Sequence, residues 1–207
     1  MDERFTPEFW DDRYGSATRI WSGHPNPQLV AETAELPPGT ALDAGCGEGA
    51  DAHWLAGRGW RVTAMDVSAV ALSRGAAHAE GAVADRISWE CVDLTAWVPD
   101  ERTYDLVSAQ FLQFPPALRD PLFAGLAASV APAGTLLVVG HHPGDMRHAG
   151  HRHHEPELFF TAEQIAATLD PAHWEVLAAD SRARAVRDAE GRETTFHDAV
   201  LRARRRP

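Results

Sequence analysis

The sequence predicts an α/β fold, with parallel strands alternating with helices that cover both faces of a sheet. Three observations carry this. Short apolar runs recur along the chain, separated by helix-compatible segments. Residues 40–68 hold a strand, a glycine turn, a helix, a second strand and an acid in direct succession. The 207 residues, 44% hydrophobic and 24% charged, fit one domain with a full core.

Composition narrows the function. A net charge of −11 argues against a broad nucleic-acid surface. The basic stretch Arg202, Arg204, Arg205 and Arg206 is read as a solvated end in preference to an RNA contact. All 19 basic residues are arginine, which excludes Schiff-base chemistry on a lysine of this chain. No apolar run approaches the ~20 residues of a membrane span. The acidic start, MDERFTPEFW, lacks a signal core, so a cytoplasmic protein is expected, without membrane partners. Two cysteines, Cys46 and Cys91, make no disulfide framework.

Residues 1–38 read as a helical arm and residues 39–207 as the main body of a single globular domain. Thr6 can cap a helix with Pro7 at its first position. Trp10 and Tyr14 are four apart in that helix and share a face. A loop with Trp21 follows. Asn26-Pro27 then opens a second helix over residues 28–36, stopped by Pro37-Pro38-Gly39.

The central unit comes next. Ala41-Leu42 begins a strand closed by Asp43, and Gly45, Gly47 and Gly49 alternate after it. Residues 50–56 suit a helix, and residues 62–65 a second strand ending at Asp66. This is the outline of a nucleotide-binding βαβ unit. Glycines let backbone approach a ligand, the helix start offers N–H groups, and an acid at the second strand's tip can accept from both ribose hydroxyls. The spacing Gly-Cys-Gly-Glu-Gly is not G-x-G-x-x-G. With Asp43 and Glu48 in the loop it suits a ligand with a positive end better than a pyrophosphate.

Asp43-Ala-Gly-Cys-Gly-Glu-Gly49 resembles the first motif of class I S-adenosylmethionine-dependent methyltransferases, and Asp66 resembles their ribose-binding acid. The resemblance implies a Rossmann-like sheet of seven strands, mostly parallel, with an antiparallel last strand beside the fifth. It implies S-adenosyl-L-methionine as cofactor, with Asp43, Gly45, Cys46, Gly47, Glu48, Gly49, Asp66 and Val67 around it. It also implies an N-terminal extension that covers the cofactor and shapes the acceptor pocket, which makes Trp10 and Trp21 candidate substrate contacts and Tyr14 a candidate catalytic residue. Phe-Trp-Asp-x-Arg-Tyr with downstream Trp-Ser-Gly and Asn-Pro is similar to the small-molecule branch around the thiopurine, thiol and tellurite methyltransferases.

The remaining elements follow in order. Ser68 can cap an alanine-rich helix reaching about Gly81. Residues 86–92 form a third strand ended by Asp93-Leu94, which the resemblance places at the adenine. Residues 104–110 are the fourth strand, with Gln110 at its carboxyl end, where open α/β sheets hold ligands. Phe111 follows as a candidate substrate contact. The segment is not the Asn/Asp-Pro-Pro-aromatic box used to grip a flipped base, which counts against a nucleic-acid acceptor. A helix runs from Pro116 to about Val130 with Leu118, Leu122, Leu126 and Val130 inward. Residues 135–140 are a buried fifth strand. A capping box at Thr161 and Gln164 opens a helix to Leu169, and residues 174–186 and 193–204 pair around a turn at residues 188–191.

Six of the 11 histidines lie in residues 141–154. They are incidental members of a polar loop, or His141 or His142 acts as general base, or His148, His151 and His153 with Asp145 or Glu155 hold a metal. The spacing is no closed zinc motif, and no metal is assigned. The expected activity is methyl transfer to a heteroatom of a small molecule by a monomer or homodimer. A non-catalytic cofactor- or metal-handling module and a methyltransferase acting on protein or RNA are the alternatives. A nicotinamide oxidoreductase is opposed by the glycine spacing and the absence of lysine.

Overall fold

The computed structural model describes residues 5–99, 103–145, 155–187 and 193–207. Helix α1 (Pro7–Gly15) begins where the Thr6 hydroxyl accepts from the Phe9 amide, and α2 (Pro27–Thr33) where the Asn26 side chain accepts from Gln28. In each, proline stands where its missing N–H costs nothing. Strands β1 (Thr40–Ala44), β2 (Arg61–Asp66), β3 (Ile87–Cys91), β4 (Tyr104–Gln110) and β5 (Val130–His141) alternate with α3 (Ala50–Gly57), α4 (Ala69–His78), α5 (Gly81–Ala84) and α6 (Pro116–Ala128). Helix α7 (Ala162–Ala166), opened by the expected capping box, precedes β6 (Trp174–Arg187) and β7 (Glu193–Arg205).

The seven strands form one sheet in the order β3-β2-β1-β4-β5-β7-β6. The first five are parallel, and β7 runs antiparallel between β5 and β6. The architecture is therefore the Rossmann-like sheet anticipated above. Strand order reverses between β1 and β4, which opens a crevice at their carboxyl ends. One face is packed by Leu122, Leu126, Phe160 and Ile165 against Leu136 and Val138. The other is packed by Leu29, Leu55 and Ala56 against Leu137, Val139 and Val200. Among the described residues no helix is long and apolar enough to cross a membrane.

Several boundaries differ from expectation: α2 ends at Thr33 and not at residue 36, and α7 at Ala166 and not at Leu169. The helix after Ser68 stops at His78, and Gly81, at φ 51, starts the separate turn of α5. Helix α6 ends at Ala128, so Val130 belongs to β5 and pairs with Tyr104, while Leu118 is only half-buried. Strand β5 thus begins five residues before Thr135, and the intervening chain turns through Ala133 at φ 64. Apolar periodicity does not separate a helix end from a strand start when both are buried. The turn expected at residues 188–191 and the metal candidates His148, His151 and His153 lie outside the described residues.

Candidate functional site

The glycine loop leaves β1 at the switch point. The Gly45 and Cys46 amides both donate to the Met65 carbonyl, at 2.8 and 2.9 Å, which ties the loop to β2. Gly49 caps α3 at φ 78, and a side chain there would collide with the Trp89 indole from β3. Gly47, at φ 54, lies under the arm, where a Cβ would approach the Tyr14 hydroxyl to 2.8 Å. Both positions need glycine for conformation and for close approach.

Acids surround this loop. Asp66 accepts from the Gly47 amide at 2.8 Å and from the Ser68 amide at 2.9 Å. Asp43 is buried, and its Oδ2 has no partner among the described residues. Burial raises both carboxyls above the usual range, and the neighbouring Asp51 and Asp66 add to it at Asp43. Asp51 is pushed up to about 6, also by burial, although the Asn26 amide bonds it at 2.6 Å. A buried carboxylate without a counter-charge is costly, and a ligand carrying an ammonium offsets that cost. The loop and acids thus fit a cofactor with a cationic end and a ribose.

The other expected residues fall as follows. Cys46 is half-buried, and burial first, then Asp43 and Asp66, raises its thiol, so it remains uncharged. Glu48 pairs with Arg74 of α4 at 3.3 Å and accepts from the Ile20 amide at 3.2 Å. Val67 follows Asp66 at the tip of β2. Asp93 accepts from the Thr95 amide and hydroxyl at 2.9 and 2.7 Å, and Leu94 is buried beside it. Gln110 donates to Ser108 at 2.8 Å and accepts from the Asn26 side chain at 2.9 Å. A cavity of ≈ 70 Å³ beside the loop, lined by Arg19, Trp21, Cys46, Glu48, His53 and His78 among others, is far below the ~300 Å³ of ordinary ligand clefts.

The arm crosses the carboxyl ends of the strands. The Tyr14 hydroxyl accepts from the Trp21 indole at 3.0 Å, and burial followed by the nearby Asp66 raises its pKa, which keeps it a phenol. Trp10 packs 6.0 Å from the Tyr14 ring, while Trp21 remains 45% exposed. Phe111 has φ 56, unusual for a residue with a side chain, and its ring lies 4.6 Å from His141. His142 is turned into the chain that leaves β5, where its Nδ1 accepts from the Gly144 amide at 3.0 Å. Of the two candidate histidines, His141 is the one grouped with Phe111.

Several contacts of this region escaped the sequence reading, although Asp11 stands in the Phe-Trp-Asp-x-Arg-Tyr motif and Asp145 among the metal candidates. Asp11 accepts from the Ser68 hydroxyl and the Val70 amide at 2.6 and 3.1 Å, which docks α1 on the start of α4. Gln28 reaches Asp198 of β7 at 3.4 Å, and Arg184 of β6 pairs with that carboxylate at 2.9 Å. Asp145, buried, bonds the His197 ring at 2.9 Å. Only Asn26 carried a local signal, as a helix cap. The rest meet across long sequence distances and leave no short-range pattern.

Residues 41–134 match a family model described as a methyltransferase domain. The chain is 27% identical over 205 residues to a protein of Arabidopsis thaliana named probable thiol methyltransferase 2, covering 92% of this chain and 88% of the relative. It is 26% identical over 124 residues to a 2-heptyl-1-hydroxyquinolin-4(1H)-one methyltransferase of Mycobacteroides abscessus, covering 58% of this chain and 54% of the relative. A solved structure described by the conversion of a disulfide bond into a thioacetal group during echinomycin biosynthesis superposes with TM-score 0.73 at 24% identity, covering 97% of this chain and 91% of that one. At that identity the likeness speaks to the fold.

Proposed function

We propose that the chain is a class I S-adenosylmethionine-dependent methyltransferase that methylates a heteroatom of a small molecule, with thiols the first class to try. The observation that carries the small-molecule reading is the arm. Bonds from Asn26 to Gln110 and from Gln28 to Asp198 hold it across the strand ends, at the edge where an acceptor would enter. A surface so covered suits a compact acceptor better than a macromolecule. The similarity to a probable thiol methyltransferase over most of the chain supports sulfur as the methylated atom.

S-adenosylmethionine supplies an electrophilic methyl group on its sulfonium. Asp66 would accept from the ribose hydroxyls and Asp43 would face the ammonium. The loop backbone at Gly45, Gly47 and Gly49 would hold the methionine part, Val67, Asp93 and Leu94 would flank the adenine, and Gln110 would close the floor. The arm, through Trp10, Tyr14 and Trp21, excludes water and holds acceptor and cofactor in line. Phe111 and His141 wall the acceptor side. A thiolate needs little base. For a phenol or hydroxyl acceptor, His141 takes the proton.

Calorimetric titration with S-adenosylhomocysteine tests the cofactor site, and methylation of thiophenol tests the acceptor class. Micromolar binding with turnover is expected. His141→Ala is expected to lower turnover of a phenol at least about tenfold with little change in homocysteine-product affinity, and His142→Ala to do less. Equal effects of the two substitutions would count against the role of His141.

A further inference from the structure

Beside the proposed acceptor wall lies an ion pair, buried at its Asp198 end and half-buried at Arg184, that neither cofactor binding nor proton transfer uses. Asp198 is fully buried on β7 and is the register partner of His141 on β5. Opposite residues of antiparallel strands share a face, so the carboxylate stands on the His141 side of the sheet. Arg184 grips it with two donors, Nε to Oδ2 at 2.9 Å and Nη2 to Oδ1 at 3.1 Å. The same guanidinium lies over the Phe111 ring, 5.5 Å from its centre. Phe111 in turn lies 4.6 Å from the His141 ring, and His141 lies 6.1 Å from Phe159. Four flat groups from β6, the end of β4, the end of β5 and the chain before α7 thus form one row. Asp198 also accepts from Gln28, in the first turn of α2, at Oδ2.

A pair with one fully buried member is a poor route to stability, since desolvation of the carboxylate offsets much of its attraction. What this pair does is join two parts of the site. One arm of the network reaches the strained Phe111, and the other reaches the segment that covers it. We propose that Asp198 is a positioning residue for the acceptor site: through Arg184 it sets the plane of Phe111, and through Gln28 it sets the register of α2 over that plane. The inference rests on the function proposed above. Wall and cover share this carboxylate, beside the Asn26–Gln110 bond and the pairing of Glu32 with Arg182, so the acceptor meets them as a unit.

Asp198→Asn in the full chain keeps the shape and removes the charge. Affinity for S-adenosylhomocysteine should stay within about twofold, while KM for thiophenol rises about tenfold or more and kcat changes less than about threefold. Hydrogen exchange should accelerate at least about fivefold at residues 28–33 and at residues 110–112, and not in β1 or β2. Arg184→Lys keeps a cation beside Asp198 but loses the flat face. It should raise KM alike and leave exchange at residues 28–33 unchanged. Unchanged KM, or exchange that changes at neither segment, overturns the proposal. A parallel loss of KM, product affinity and overall stability also overturns it, by reducing Asp198 to a support of the fold. Failure of the parent protein to bind S-adenosylhomocysteine would strike the proposed function instead. Exchange in the unliganded protein would then still decide whether Asp198 holds the two segments together.

Discussion

Asp66 spends both carboxylate oxygens on backbone amides, those of Gly47 and Ser68. It therefore shapes the loop as well as offering lone pairs to a ribose. Replacing it with alanine removes charge-assisted bonds worth about 1.5–3 kcal/mol each. We expect Asp66→Ala to weaken S-adenosylhomocysteine binding by roughly 100-fold or more, in protein shown to be folded by circular dichroism. Near-parent affinity would contradict the assignment of this acid. Residues of this kind were legible in the sequence because their signal is local: a glycine turn and an acid at fixed intervals from one strand. Asp198 and Arg184 were not. A lone aspartate in an apolar strand reads as an outward position, and only the pairing of β7 with β5 and β6 turns it inward.

At the scale of elements, α1 docks by lending an acid to the start of α4. Asp11 of α1 accepts from the Val70 amide and the Ser68 hydroxyl at the beginning of α4. A carboxylate there also meets the positive end of the helix dipole. Asp11→Ala should lower stability to urea by about 0.5–1 kcal/mol, since Ser68 still caps α4 through the Ala71 amide. It should also speed proteolysis within residues 5–25 more than elsewhere. Equal protease sensitivity of parent and variant would show that α1 is held by other contacts. Helix starts were read correctly from Thr6, Asn26, Ser68 and Thr161, because a cap is chemistry between near neighbours. The stops of α2, α4, α6 and α7 were missed: helix-compatible residues continue past each, and tertiary packing decides where the helix yields.

For the molecule as a whole, the acid cluster sets a pH dependence. Asp51 ionises near pH 6 when folded and near 3.8 ordinarily. Between those values the folded chain binds more protons than the unfolded one, so this group's contribution to stability falls as pH rises through the window. Asp43 and Asp66 are shifted in the same direction. A cationic ligand favours the ionised acids, so affinity should move the opposite way. Binding of S-adenosylhomocysteine should weaken about tenfold from pH 7.5 to pH 5, and Asp51→Asn should flatten that slope. A pH-independent affinity would place the ammonium elsewhere. The wide spacing of the arm's partners has a consequence for biosynthesis. Gln28 waits for Asp198, 170 positions later, and Glu32 for Arg182, 150 positions later. Strand β6 has no sheet neighbour until β7 slides in beside it. At ~5–20 residues per second, a ribosome leaves α2 without its anchor for roughly 10–30 s. A segment made well before its partners is thus among the last to find its place, and in that interval a nascent-chain chaperone has its clearest target.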